Sequence, residues 1–255
     1  MEGADLADSQ KRGVLGIVFA LEIETRGLRS VMSHSQSIHS PMYGQLAWRL
    51  GGAKIVIEIA GMGERQARQA SNRLIDQGAM WVACAGFATA LDDMAHVGDV
   101  VIADSVASID SPDTALTCSR SLIAAIPPSG KFGYSVWRSD FVSTDSMILK
   151  ASKKREIYAH THAAALDMES SAVGEVCAQR GIPFVAIKGI SDTADQNIPE
   201  EIQAFSQASG WLGLTGLMLK NPQIWPDVWK LRKNSLKASD NLGDILGMML
   251  LRLFA

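Results

Sequence analysis

Short apolar runs that alternate with helical patterns constrain this 255-residue chain more than any other feature. The runs are "GVLGIVFALE" (13–22), "AMWVACAGFA" (79–88), "VGDVVIADSVAS" (97–108) and "IPFVAIKGISD" (182–192). A strand without polar alternation is covered on both faces, so these runs predict an α/β sheet with helices on either side. "GQLAWRLGGAKIVIEIAGMG" (44–63) reads as a hairpin about Gly51-Gly52. "ERQARQASNRLIDQG" (64–78) reads as a helix with Ala67, Ala70, Leu74 and Ile75 on one face and Gly78 as its stop. Further on, 141–158 is a strand end and a helix, 163–169 a short strand, and 170–181 a helix closed by Gly181. Pro199 starts a long helix over 199–220. Residues 109–135, broken by Pro112, Pro127 and Pro128, read as loops. No internal repeat is present. The texture changes at "NPQIWP", which predicts one domain over 13–220 and a helical C-terminal extension over 221–255.

Composition narrows the function. A chain that is 47% hydrophobic has enough apolar mass for one large core. A net charge of -3 and a pI near 6.0 give no electrostatic footprint for nucleic acid. Cys84, Cys118 and Cys177 are odd in number and lie in apolar or mixed segments, which points to reduced thiols and a cytoplasmic setting. Residues 1–12 are polar, without the apolar stretch of a secretory signal, and no apolar run is long enough to span a bilayer.

Ligands of open α/β sheets gather at the carboxyl ends of the strands. Four acids are expected there: Glu22 and Glu24 after the first run, Glu169 after "AALDM", and Asp192 after "VAIKGIS". Singly, each has a plain structural use. Asp167 and Glu169 suit the positive N-terminus of the following helix, and Asp192 suits a turn. Together, carboxylates from three strands imply an acid-lined cleft. "GMG" (61–63) also follows a strand, but Gln66 stands where a dinucleotide fingerprint needs a third small residue, so no nicotinamide cofactor is expected. His160 and His162 read as exposed loop histidines, not metal ligands, and no metal or other cofactor is implied. By itself, Cys84 reads as a small core residue.

In order along the chain, "GIVFALEIE", "AGMGERQA", "ACAGFATAL…VGDVVIAD", "VSTDSMI" and "LDMESSAVGEVC" with "VAIKGISDTAD" resemble the nucleoside phosphorylase and nucleosidase superfamily. Within it they are most similar to bacterial methylthioadenosine/S-adenosylhomocysteine nucleosidases. The resemblance covers about residues 13–220 and implies a three-layer α/β/α fold with a mixed central sheet. It also implies hydrolysis of the N-ribosidic bond of a purine nucleoside. Glu24 would activate water, Asp192 would protonate the departing base, and Glu169 would accept the ribose hydroxyls. Met168, Met62, Met147 and Leu21 would form the apolar wall around sugar and base. Cys84 would replace a family serine that helps hold the general acid, and Phe87 a family glycine. A homodimer is implied. The alternatives are a phosphorylase, for which Arg26 and Arg49 offer cations, and a nucleoside-binding relative without turnover.

The extension lies outside the resemblance. Leu242, Ile245, Leu246, Met249, Leu250 and Leu253 recur at helical spacing, with Trp225, Trp229, Lys230, Arg232, Lys233 and Lys237 before them. It reads as a helix packed on its own domain or on a dimer mate, with a peripheral membrane contact as the alternative. On this reading, removing 222–255 leaves the catalytic motifs intact and changes association.

Overall fold

The computed structural model describes residues 13–38, 44–127, 133–200 and 225–254. In chain order the strands are β1 (Val14–Phe19), β2 (Gln36–Ser37), β3 (Gln45–Leu50), β4 (Ala53–Ile59), β5 (Trp81–Ala90) and β6 (Val100–Ser108). β7 (Ser111–Thr117), β8 (Val136–Ser143), β9 (Ala165–Asp167) and β10 (Phe184–Asp192) complete the sheet. The helices are α1 (Arg26–Val31), α2 (Glu64–Asp76), α3 (Arg120–Ala124), α4 (Ala151–Thr161), α5 (Ser170–Arg180) and α6 (Trp225–Phe254).

The strand order is β10-β6-β8-β9-β5-β1-β4-β3-β2, with β7 on β6 and a further pairing of β10 to β5. That last pairing closes β5, β10, β6, β8 and β9 into a ring, in which β5 and β10 end side by side and β8 and β9 run the opposite way. The sheet is mixed. β1 runs parallel to β4 and β5, and β10 parallel to β5, whereas β6 is antiparallel to β10.

Helices cover both faces. On β10, Phe184 meets Gly174 of α5, and Gly189, an odd number of residues further on, meets Ala238 of α6. Side chains alternate along a strand, so α5 and α6 lie on opposite faces. Gly16 of β1 faces Leu74 of α2, and the expected stripe of Ala67, Ala70, Leu74 and Ile75 is buried. The hairpin turns at Gly51 with φ 56°, and Gly181 ends α5 in the left-handed conformation at φ 66°.

Two expectations change. The segment read as loops, 109–135, contains β7 and α3: β7 is exposed and polar, and so lacks the apolar periodicity that marks a strand. The C-terminal helix packs on its own domain, one of the two arrangements expected for it, but as part of the core and not as a separable extension. Leu242, Ile245, Leu246, Met249 and Leu250 are fully buried in the same core as the strands, and Phe254 packs on Trp81 with ring centroids 5.8 Å apart. Close approach makes this packing specific. A Cβ on Gly27 of α1 would lie 2.0 Å from Ser239 O, and one on Gly243 would lie 2.2 Å from Gly27 C. The helix expected over 199–220 falls almost wholly outside the described residues. Among the described residues, no helix is long and apolar enough to cross a membrane.

Removal of residues 222–255 is therefore expected to abolish folding. Leu246→Ala, which empties a fully buried site, is expected to cost about 2–5 kcal/mol in urea denaturation. A truncated chain that still unfolds cooperatively would contradict this packing.

Candidate active site

The loop after β1 tightens into a short 3-10 turn, Glu22–Thr25, which turns the Glu24 side chain back beneath its own backbone. Glu24 Oε2 accepts hydrogen bonds from the backbone N–H of Ala20 and Leu21, both at 2.8 Å, and Oε1 accepts one from Phe87 N at 2.8 Å. Three amide donors fix the carboxylate against the end of β5. That approach requires a glycine. Gly86 has φ 144°, and a Cβ there would lie 2.7 Å from Glu24 Oε1. Burial raises the Glu24 carboxyl to about pKa 7, the nearby Glu169 adding to the rise and Lys188 opposing it. A general base poised near neutral pH is suited to drawing a proton from water.

The two acids around Met168 divide their labour. Asp167 is structural: it accepts from Ser170 N in the first turn of α5 and from the hydroxyls of Ser170 and Ser143, the latter at 2.5 Å. Its other partner is the Lys188 ammonium at 2.8 Å, deep in the protein. Burial pushes the Asp167 carboxyl up, but Lys188 and the two hydroxyls outweigh it and hold it below its usual value. Glu169 faces the other way and accepts from Gly63 N at 2.9 Å, in the turn where Gly61 and Gly63 have φ 89° and 95°. Burial raises its carboxyl, with Lys188 3.6 Å away opposing. The "GMG" turn thus brings backbone, and Met62, to Glu169.

Asp192 ends β10 at a bulge. Ile190 pairs with Ala88, Asp192 pairs with Thr89, and Ser191 is the extra residue. Asp192 Oδ1 accepts from Thr89 Oγ1 at 3.1 Å and from Ser191 Oγ at 2.9 Å, and Oδ2 accepts from Lys154 Nζ at 2.7 Å. Glu24 and Asp192 are therefore both tied to β5, at Phe87 and Thr89, two residues apart on one strand. Met147 and Met168 are half-buried, and Leu21 is exposed beside the Glu24 turn.

Cys84 departs from its expected role. It is buried mid-strand, bonded through Sγ to Ser170 Oγ at 3.6 Å, and the hydroxyls that hold Asp192 are those of Thr89 and Ser191. Burial pushes the Cys84 thiol up to about 12, so it is neither nucleophile nor anion. The cations expected for a phosphate site lie elsewhere. Arg26 pairs with Asp240 on the outer face, and Arg49 is exposed on β3. Among the described residues no cluster of His, Cys, Asp or Glu is arranged to hold a metal ion.

The sequence reading missed three residues. Lys188 and Lys154 are hidden in an apolar strand and in a charged helix, "ASKKRE", where nothing marks which lysine is buried. Thr89 is found only through its pairing with Asp192.

Buried carboxylates that follow β1, β9 and β10 and gather beside the end of β5 suit one class of protein, the hydrolytic or phosphorolytic α/β enzymes of glycosidic bonds. The family model of the phosphorylase superfamily matches residues 34–210, and the chain belongs to that superfamily. The 5'-methylthioadenosine/S-adenosylhomocysteine nucleosidase of Shewanella oneidensis is 27% identical over 231 residues, covering 84% of this chain and 98% of the relative. That of Staphylococcus aureus is 28% identical over 212 residues, covering 75% and 92%. The fold is similar to that of the Neisseria meningitidis nucleosidase in complex with methylthio-immucillin-A, with TM-score 0.70, 22% identity, and 93% and 98% of the two chains covered. It is also similar to futalosine hydrolase of Helicobacter pylori, with TM-score 0.70, 17% identity, and 94% and 97% covered.

Gly86→Ala is expected to leave the protein folded but to cut turnover by an order of magnitude or more, because the new methyl displaces Glu24. Wild-type turnover in this variant would show that Glu24 does not need its amide cradle.

Proposed function

We propose that this chain hydrolyses the N-ribosidic bond of a purine nucleoside of the 5'-methylthioadenosine/S-adenosylhomocysteine type, releasing free base. The observation that carries the proposal is Glu24, held by three amides with its carboxyl near pKa 7 and tied to the same strand as Asp192. Glu24 takes the proton of a water that attacks C1′. Glu169 accepts the hydroxyls of the ribose, whose apolar face rests on Met168 and Met62. Asp192 delivers the proton that the leaving purine requires. Met147 and Leu21 extend the apolar wall. Water is the nucleophile in this reading because a loop carrying Glu22 and Glu24 repels phosphate, and Arg26 is engaged by Asp240.

Glu24 must be ionised to act. Its carboxyl is raised to about 7, so activity is expected above that pH and is lost as pH falls through it. Glu24→Gln and Asp192→Asn are each expected to slow base release by about 10²–10⁴-fold. Glu24→Gln should also remove the acid limb of the kcat/KM profile. Ribose 1-phosphate as product would replace hydrolysis by phosphorolysis.

The proposal includes a symmetric dimer. Leu21, at the mouth of the site, is 38% exposed, an open apolar wall that a second copy would close. It also includes contact of the amino-terminal half of α6 with an anionic membrane surface, since Trp229 is 62% exposed beside Arg232 and Lys230. Sedimentation is expected to show a dimer, and flotation with phosphatidylserine vesicles is expected to carry the protein. A monomer, or protein left wholly unbound, would remove the corresponding part.

A further inference from the structure

Lys154 is a lysine buried to 0% exposure in a helix whose other cations face solvent. Its ammonium makes three hydrogen bonds, to Asp192 Oδ2 at 2.7 Å, Thr193 O at 2.9 Å and Gln196 O at 3.0 Å. The loop that supplies these carbonyls is tied to the start of α4 by Ala151 N to Asn197 Oδ1 at 2.8 Å and by Ile198 N to Leu149 O at 2.8 Å. Lysine and loop therefore form one rigid clamp on the carboxyl of Asp192. With a cation on one oxygen and two hydroxyls on the other, the clamp matches a carboxylate and not a neutral carboxyl. A resting carboxylate has no proton to give a leaving purine.

We propose that Lys154 is the positioning residue that stores this proton: in the resting enzyme it sits on the Lys154 ammonium, and Asp192 passes it to the base. This rests on the assignment of Asp192 under the proposed function. The three contacts suit both states of the lysine. A neutral amine keeps two N–H bonds to Thr193 O and Gln196 O, and only the proton facing Asp192 is free to move. As the C1′–N9 bond breaks, its electron pair stays on the purine. Asp192 takes a proton from the Lys154 ammonium, which becomes a neutral amine, and the carboxyl so formed gives a proton to the purine and returns to a carboxylate. Water bonds to C1′ and yields its proton to Glu24, and solvent later returns a proton to Lys154 and removes one from Glu24. The transfer neutralises an ammonium and a purine anion together, in a site where separated charge is costly.

Other titratable groups around the pair are engaged elsewhere or face solvent. On α4, Lys153 pairs with Glu156 and Arg155 is exposed, as is Lys150 just before the helix. On the loop after β10, Asp195 is exposed and accepts from Thr193 Oγ1. At the end of β5, Asp92 accepts from Tyr158 and Asp93 is exposed. On β10 itself, Lys188 is held by Asp167. Among the described residues, Asp192 is the acid within ion-pair distance of Lys154.

The test is the pH dependence of adenine release from 5'-methylthioadenosine by full-length wild type, Lys154→Met, Lys154→Arg and Asp192→Asn. Both lysine variants are expected to lose about 10²-fold in kcat near about pH 8, with little change in KM. The ratio of Lys154→Met to wild type should climb as pH falls, because an unpaired Asp192 takes its proton from solvent; the ratio cancels the limb due to Glu24. Lys154→Arg should stay low throughout, since a guanidinium holds Asp192 ionised and does not surrender a proton. A loss in Lys154→Met that is the same at every pH, or wild-type turnover in Lys154→Arg, overturns the proposal. If Lys154→Met does not fold, the Arg variant decides alone. An active Asp192→Asn overturns instead the assignment of Asp192, whatever the lysine variants do.

Discussion

Lys188 is the charge on which the site depends. Its ammonium lies 2.8 Å from Asp167 and 3.6 Å from Glu169, and it acts on Glu24 as well, in a region with almost no solvent. Three carboxylates crowded at strand ends would repel one another and resist burial. Burial pushes the lysine towards its neutral form, but the surrounding acids outweigh it and hold its pKa well above the ordinary value. One buried cation thus lets Asp167 stay fully ionised while Glu24 and Glu169 are pushed up. The same charge separates an acid held in the ionised form from two whose carboxyls burial raises. Removing one partner of such a buried set typically costs about 3–5 kcal/mol, because the remaining charges are left uncompensated.

Around this centre, position is set by backbone more than by side chains. Glu24 is held by amides of its own turn and of β5, and Glu169 by the amide of Gly63. Such contacts need close approach, which explains the glycine at position 86. The buttress behind the turn comes from the far end of the chain. Ser239 of α6 accepts from Gly27 N at 3.1 Å and donates to Glu24 O at 3.1 Å, and Asn241 and Lys237 bond the carbonyls of Gly98 and Val97. The last helix therefore completes the core and steadies the backbone of Glu24 at the same time.

The clamp on Asp192 gives the second acid a different character from Glu24. Among the described residues Glu24 meets no cation at ion-pair distance, whereas Asp192 is paired with Lys154. Two carboxyl groups tied to one strand two residues apart thus sit in opposite electrostatic settings, the kind of separation on which the proposed division of proton transfers rests.

The sequence by itself determined the α/β class, the strand and helix boundaries over most of 13–200, and the set of acids at strand ends. Apolar runs and a helical period are local signals, and Glu24, Glu169 and Asp192 each follow such a run directly. The naming of their tasks came from resemblance, since spacing alone led only to an acid-lined cleft. Tertiary structure decided the rest. β7 was hidden because an exposed polar strand carries no apolar pattern. The C-terminal helix was legible as a helix, but whether its apolar face would meet the core, a second copy or a membrane is a question of what surface awaits it. Cys84 and Thr89 lie in one strand, and only the pairing of β5 with β10, together with the bulge at Ser191, puts the threonine and not the cysteine beside Asp192. Lys154 and Lys188 were invisible as site residues for the same reason. A lysine's ordinary place is in solvent, and its burial depends on carboxylates and carbonyls brought to it from distant parts of the chain.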